Sequence, residues 1–268
     1  MNKVIGIIGC GWLGLPLAIS LAEEQYTVHG STTSEEKVTH LIEKGIIPFI
    51  ISLGEDNIAG DITSFLSQID VLVINVPPKL RGKGPKENYV KKMQVLHQKI
   101  NSAAVDKVIF ISSTSVYGNI DGDVTENTTP QPSTESGKQM LASENIFIND
   151  TAIQTTVIRF GGLIGPKRQP ITMLSGRQNL SNGKAPINLI HLNDCINIIK
   201  STIHQNWWGL IINGVYPYHP SKEKYYTQKA IEFNLPAPNY NKADFKKGKK
   251  VKSQVLLDVK KYQFLTTV

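Results

Sequence analysis

Gly9, Gly11 and Gly14 stand in the spacing G-x-G-x-x-G, directly after the apolar run Val4 to Ile8 and directly before a helical pattern. In that context each glycine has a physical use. Gly9 permits a tight turn, Gly11 removes a Cβ that would keep a diphosphate off the backbone, and Gly14 lets the helix pack closely on the strand. The free N–H groups at the start of that helix would point at a pyrophosphate. A glycine-rich turn with no ligand fits the same residues, so the rest of the chain must decide.

The end of the second strand, Tyr26 to Gly30, chooses the dinucleotide. An NAD-preferring fold places Asp or Glu there to accept from the ribose 2′-OH. This chain offers Ser31, Thr32 and Thr33, with Lys37 one turn into the next helix, which favours NADP over NAD. Thr33 and Glu36 also have the spacing of a capping box, and both readings can hold together. Trp12 and Leu13 in the turn, with Val76 and Pro77 after the strand Val71 to Asn75, complete the expected cofactor contacts. The loop beyond them carries Lys79, Arg81 and Lys83, which could meet an anionic substrate or form a solvated surface.

These residues need a scaffold. Apolar runs at Val4 to Ile8, Val71 to Asn75, Lys107 to Ser112 and Thr155 to Phe160 read as buried parallel strands, and Ile46 to Leu53, broken by Pro48, as an edge strand. Helical stripes lie between them, most clearly Tyr89, Val90, Met93, Leu96, Ile100 and Ala104. Later come a helix over 134–149, a short strand at 187–190, a helix capped by Asn193 or Asp194 and ending near His204, a strand at 210–215 and a helix over 221–234. The expected class is α/β: a Rossmann doubly wound parallel sheet with a small C-terminal substrate lobe. Residues 1–165 would form the NAD(P)-binding core. Residues 166–268 would complete the sheet and form the lobe without being an independent domain.

Composition excludes several alternatives. The two cysteines, Cys10 and Cys195, have no C-x-x-C partner, and the histidines form no H-E-x-x-H, so no metal is expected. No stretch has the length of a signal peptide's apolar core or a membrane span, which points to a cytoplasmic protein. The net charge is +7, and residues 242–268, with eight lysines against Asp244 and Asp258, carry +6 of it. Without aromatic interleaving this reads as a solvated basic segment, and nucleic acid is not an expected partner.

Four stretches together resemble the extended short-chain dehydrogenase/reductases, also called the NAD-dependent epimerase/dehydratase superfamily. They are GCGWLG at 9–14, SSTSVYG at 112–118, IRFGGLIGP at 158–166 and NLIHLND at 188–194. Order and spacing match from Lys3 to His204, whereas KGKKVKS at 247–253 is only loosely similar to the family's late segment. The resemblance implies an NAD(P)-dependent oxidoreductase or epimerase acting on a nucleotide sugar or a related alcohol or ketone. Family members often dimerise through two helices of the main domain.

The resemblance also implies roles. Ser113, four residues before Tyr117, matches the residue that polarises the reacting carbonyl or alcohol. Lys138 matches the lysine of the family's Y-x-x-x-K pair, which lowers the tyrosine's pKa and binds the nicotinamide ribose. The tyrosine position itself falls on Thr134. A tyrosine of free pKa about 10 can be tuned to exchange protons near neutrality, and an alkyl hydroxyl cannot. Ile8 also stands where the family's earlier glycine would be. Either the proton travels through Lys138, Tyr117 or a water, with Ser113 and Thr114 orienting the substrate, or the chain binds NADP(H) without turnover as a regulator of another protein.

Overall fold

The computed structural model describes residues 3–78, 80, 86–244 and 246–268. Lys79, Arg81 and Lys83 of the basic loop lie outside the described residues. Strands β1 (Val4–Ile8), β2 (Thr27–Thr32), β3 (Ile47–Ile50), β4 (Val71–Ile74), β5 (Lys107–Ser113), β6 (Gln154–Phe160) and β7 (Ile211–Gly214) form one parallel sheet. Their order is β7-β6-β5-β4-β1-β2-β3. The order reverses between β1 and β4, and the crevice beyond their carboxyl ends is where such sheets bind ligands. The sheet's edge strand β3 accommodates Pro48, which cannot donate to a ladder.

Both faces are covered, which is why β1 and β4 read as unbroken apolar runs. Helices α1 (Gly14–Glu23), α2 (Val38–Glu43) and α7 (Leu192–His204) bury Leu17, Leu21, Leu41, Ile198, Ile199 and Ile203 against Ile5, Ile7, Val71 and Val73. On the other face α3 (Ile62–Ser67), α4 (Tyr89–Asn101) and α5 (Glu135–Ile148) bury Phe65, Met93, Leu96, Ile100 and Phe147 against Ile8, Leu72 and Ile74. The alternation of strand residues between the two layers is the pleat. A third, smaller core around Ile164, Ile171, Tyr225 and Tyr226 builds the C-terminal lobe with α6 (Ile171–Leu174) and α8 (Lys222–Glu232).

Several local expectations are corrected. The capping box at Thr33 and Glu36 does not form, because the helical turn starts one residue later, with Ser34 in the cap position and no side-chain cap hydrogen bond. The helix expected to carry Lys37 divides into a 3₁₀ turn, Glu35–Lys37, and then α2. Neither Asn193 nor Asp194 caps α7. The cap is His191, whose Nδ1 accepts the Asn193 N–H at 3.2 Å. Asp194 Oδ1 instead accepts from Tyr262 Oη at 3.0 Å and Leu265 N at 2.8 Å, and so ties down the C-terminal segment. The basic stretch is likewise fastened, with Lys249–Val251 running parallel to Gly122–Val124. Among the described residues no helix is long and apolar enough to cross a membrane.

Candidate functional site

The glycine turn leaves β1 at the switch point, held from both sides. Gly9 has φ +102°, which favours glycine, and an added Cβ there would lie 2.5 Å from the Asn75 carbonyl oxygen. Gly14 is closer still to its surroundings: a Cβ would sit 2.1 Å from the Gly9 carbonyl oxygen. Gly11 is the opposite case, since a Cβ would meet no heavy atom within 4 Å. The first two glycines close the turn, and the third leaves open space above it. That is the geometry a diphosphate needs, so the residues present fit the dinucleotide.

Three further contacts position the turn. Asn75 Nδ2 donates to the Gly9 carbonyl at 3.0 Å. The Gly9 N–H donates to Ser31 Oγ at 2.9 Å, and the Cys10 N–H to the Ser31 carbonyl at 2.9 Å. Asn75 was not a sequence candidate, although a polar residue closing the apolar strand VLVI was a readable signal. Ser31 is buried and clamps the turn as an acceptor, and it also lines the cavity beyond the turn. Burial pushes the Cys10 thiol up to about 12, which leaves it protonated and inert.

A cavity of about 490 Å³ runs from this turn across the end of β2, lined by Gly9, Gly11, Thr33, Lys37, Val76 and Pro77 among others. No Asp or Glu from the end of β2 lines it. Thr32 is buried and spent on the Ser34 backbone, which leaves exposed Thr33 and Lys37 as the donors at this end. Leu13 is buried in the core, so its side chain does not line the cavity. Trp12 leans the other way. Its Nε1 donates to the Pro166 carbonyl at 3.2 Å and Arg168 stacks on its ring at 4.8 Å, which joins the glycine turn to the IRFGGLIGP segment.

The SSTSVYG stretch leaves the carboxyl end of β5 as a 3₁₀ turn, Thr114–Tyr117. Ser113 is its cap, with Oγ accepting the Ser115 N–H at 3.2 Å. Accepting that bond leaves the hydroxyl proton free to donate elsewhere. Thr114 is buried, and its carbonyl accepts from Lys249 Nζ at 2.7 Å. Tyr117 departs from the expectation of a proton carrier. It is fully buried, donates to Asn213 Oδ1 at 2.9 Å and accepts from Arg159 Nη1 at 3.0 Å. Burial raises its pKa despite the opposing Arg159 charge, so it stays protonated. Arg159 pairs in turn with buried Glu144 at 2.6 Å, and Ser112 Oγ donates to the same carboxylate. This buried network fixes the turn that presents Ser113.

Helix α5 brings its first turn against that structure, where a Cβ on Gly137 would lie 2.9 Å from the Ser115 carbonyl oxygen. Thr134 is the helix cap, accepting the Gly137 N–H at 3.1 Å. Lys138 is exposed and is not among the residues that line the glycine-turn cavity. The structure thus brings together the glycine turn, Asn75, Val76 and Pro77, and sets Ser113 beside the start of α5.

A glycine turn at the switch point of this seven-stranded parallel sheet defines a Rossmann-type α/β fold with a dinucleotide-binding turn. Residues 4–119 match the NAD binding domain of 6-phosphogluconate dehydrogenase. The chain belongs to the family of Protein YeeZ of Escherichia coli K12, with which it shares 33% identity over 249 residues, 92% of this chain and 90% of that one. It is also similar, at 25% identity over 43% of its length and 40% of the relative's, to an uncharacterized UDP-glucose epimerase, YtcB, of Bacillus subtilis. Among solved structures, the UDP-glucuronic acid 4-epimerase of Bacillus cereus in complex with NAD superposes with a TM-score of 0.81 at 19% identity, covering 98% of this chain and 92% of that one. That likeness is one of fold.

Proposed function

We propose that this chain is an oxidoreductase or epimerase-like enzyme that binds NADP in preference to NAD and acts on a small carbonyl or alcohol, a nucleotide sugar being the class suggested by the relatives. The observation that carries the cofactor reading is the open space over Gly11, continuous with a cavity whose β2 end offers Thr33 and Lys37 and no carboxylate. A 2′-phosphate would find a donor and a cation there, and a bare ribose would find no acceptor carboxylate. The dinucleotide, when bound, supplies hydride chemistry. Ser113, with its proton uncommitted, orients the reacting oxygen. Thr114 supports it only through the backbone, and Lys138, exposed in the first turn of α5, contacts the nicotinamide ribose.

Thr134 in place of the proton-carrying tyrosine favours a second reading, a dinucleotide-binding regulator without turnover. Its hydroxyl caps α5, Tyr117 is buried, and neither titrates near neutrality. Titration with NADPH, followed by a screen of carbonyl substrates for cofactor oxidation, separates the two. Turnover that falls in Ser113→Ala at unchanged NADPH affinity supports the enzyme, whereas tight binding without turnover of any carbonyl supports the regulator. For Lys138, the expected result of Lys138→Ala is weaker dinucleotide binding, and unchanged affinity removes its ribose contact.

A further inference from the structure

Past the end of β6 the chain folds back through Pro166 and Lys167, and Gly165 and Arg168 close this hairpin with reciprocal backbone hydrogen bonds at 3.1 and 3.0 Å. The hairpin leads into α6 and the C-terminal lobe, yet it rests on the glycine turn. Trp12 Nε1 donates to the Pro166 carbonyl, a Cβ on Gly165 would lie 3.2 Å from the indole, and the Arg168 guanidinium stacks 4.8 Å above the ring centroid. Stacking engages the face of a guanidinium and leaves its five N–H donors at the edge. Among the described residues those donors meet no carboxylate and no other acceptor. The turn beneath has no cation of its own, since GCGWLG is uncharged. Of the lysines that line the adjoining cavity, Lys92 is paired with Glu87 and Lys37 stands at the β2 end. The free N–H groups at the start of α1 supply only about half a positive charge against a doubly charged diphosphate.

We propose that Arg168 is a dinucleotide-binding residue: its guanidinium, delivered by the lobe hairpin and held on the Trp12 indole, is the counter-charge of the diphosphate that lies over Gly11. The inference rests on the reading of the glycine turn as the dinucleotide site and adds that the C-terminal lobe takes part in holding the cofactor. Trp12 is then a positioning residue, with its backbone in the turn and its ring under the guanidinium. Restraining the arginine before the ligand arrives lowers the entropy lost on binding. One charge-assisted contact of this kind is worth about tenfold to a hundredfold in Kd. The diphosphate is common to NADPH and NADH, so Arg168 serves both alike, unlike Thr33 and Lys37 at the 2′ position.

Titration of the full chain with NADPH, NADH and adenosine 2′-monophosphate, which lacks the diphosphate, tests it. Arg168→Gln should weaken both dinucleotides at least tenfold and by a similar factor, and should leave the monophosphate affinity unchanged. Arg168→Lys keeps the charge and should recover part of the loss. Arg168 is exposed, so Arg168→Gln should melt within about 2 °C of the unaltered chain and the loss is read on folded protein. A merely structural contact between hairpin and turn would neither spare the monophosphate nor respond to lysine. Unchanged dinucleotide affinity in Arg168→Gln, an equal loss for the monophosphate, or a loss that lysine does not recover would overturn the proposal and leave the cofactor reading standing. Failure of the unaltered chain to bind either dinucleotide would remove the glycine-turn reading, and this proposal with it.

Discussion

Replacing Gly11 by alanine separates the architecture of the glycine turn from its use. The new methyl meets no atom within 4 Å, and Gly11 is not among the positive-φ glycines. Alanine therefore fits without strain and restricts the unfolded chain, which stabilises by about 0.4–1 kcal/mol. For a domain of this size that is a rise of up to about 4 °C in Tm. The same methyl occupies the space through which a diphosphate would approach the backbone. Loss of one charge-assisted N–H contact is worth about 1.5–3 kcal/mol, or about tenfold to a hundredfold in Kd. A thermal melt and an NADPH titration followed by energy transfer from tryptophan report the two effects. Unchanged NADPH affinity at an unchanged melting temperature would refute the position assigned to the diphosphate, and a marked fall in Tm would refute the geometry of the turn itself.

Gly14→Ala is the contrasting variant. Its Cβ would lie 2.1 Å from the Gly9 carbonyl oxygen, and the forced shift should cost about 1–3 kcal/mol, read as a lower denaturant midpoint. Arg159→Met leaves the Glu144 carboxylate buried without its partner, a loss of about 3–5 kcal/mol that adding Glu144→Gln should partly recover in the melt. Thr134→Ala should lose about 1 kcal/mol of helix capping with no change in dinucleotide affinity. His29 is buried beside the Phe49 and Phe65 rings with Nδ1 unpartnered, and burial lowers its pKa from 6.5. Below that value the unfolded state binds the proton more readily than the native state, so His29 lets stability fall as the pH drops beneath about 6.5 and leaves it intact above. His29→Phe should raise Tm by relieving the orphaned nitrogen and should flatten that acid limb, and an unchanged limb would show that His29 does not drive it.

The chain announces its sheet because buried parallel strands leave continuous apolar runs, and it announces the glycine turn because only glycine tolerates contacts as close as that at Gly14. What it conceals is the partner across space. Ser31 and the 3₁₀-forming Thr114 look like ready hydroxyl donors in sequence, yet one clamps Gly9 and the other is buried. Tyr117 reads as a chemical residue until Arg159, Asn213 and Glu144, brought from later strands and from α5, enclose it. Lys249 looks like one lysine in a basic tail, and only the pairing of Lys249–Val251 with Gly122–Val124 brings it under the Ser113 turn. His191 outcompetes Asn193 and Asp194 as a cap because the latter's carboxylate is claimed by the C-terminal segment. Long-range hydrogen bonds of this kind have no local signature.

The most direct measurement is parallel titration of the purified chain with NADPH and NADH, followed by energy transfer from Trp12 beside the glycine turn. If Thr33 and Lys37 receive a 2′-phosphate above the open Gly11, NADPH binds at least tenfold more tightly than NADH, and Lys37→Glu removes the difference. Equal affinities would contradict the NADP assignment, and no binding of either dinucleotide would contradict the enzyme reading built on this turn.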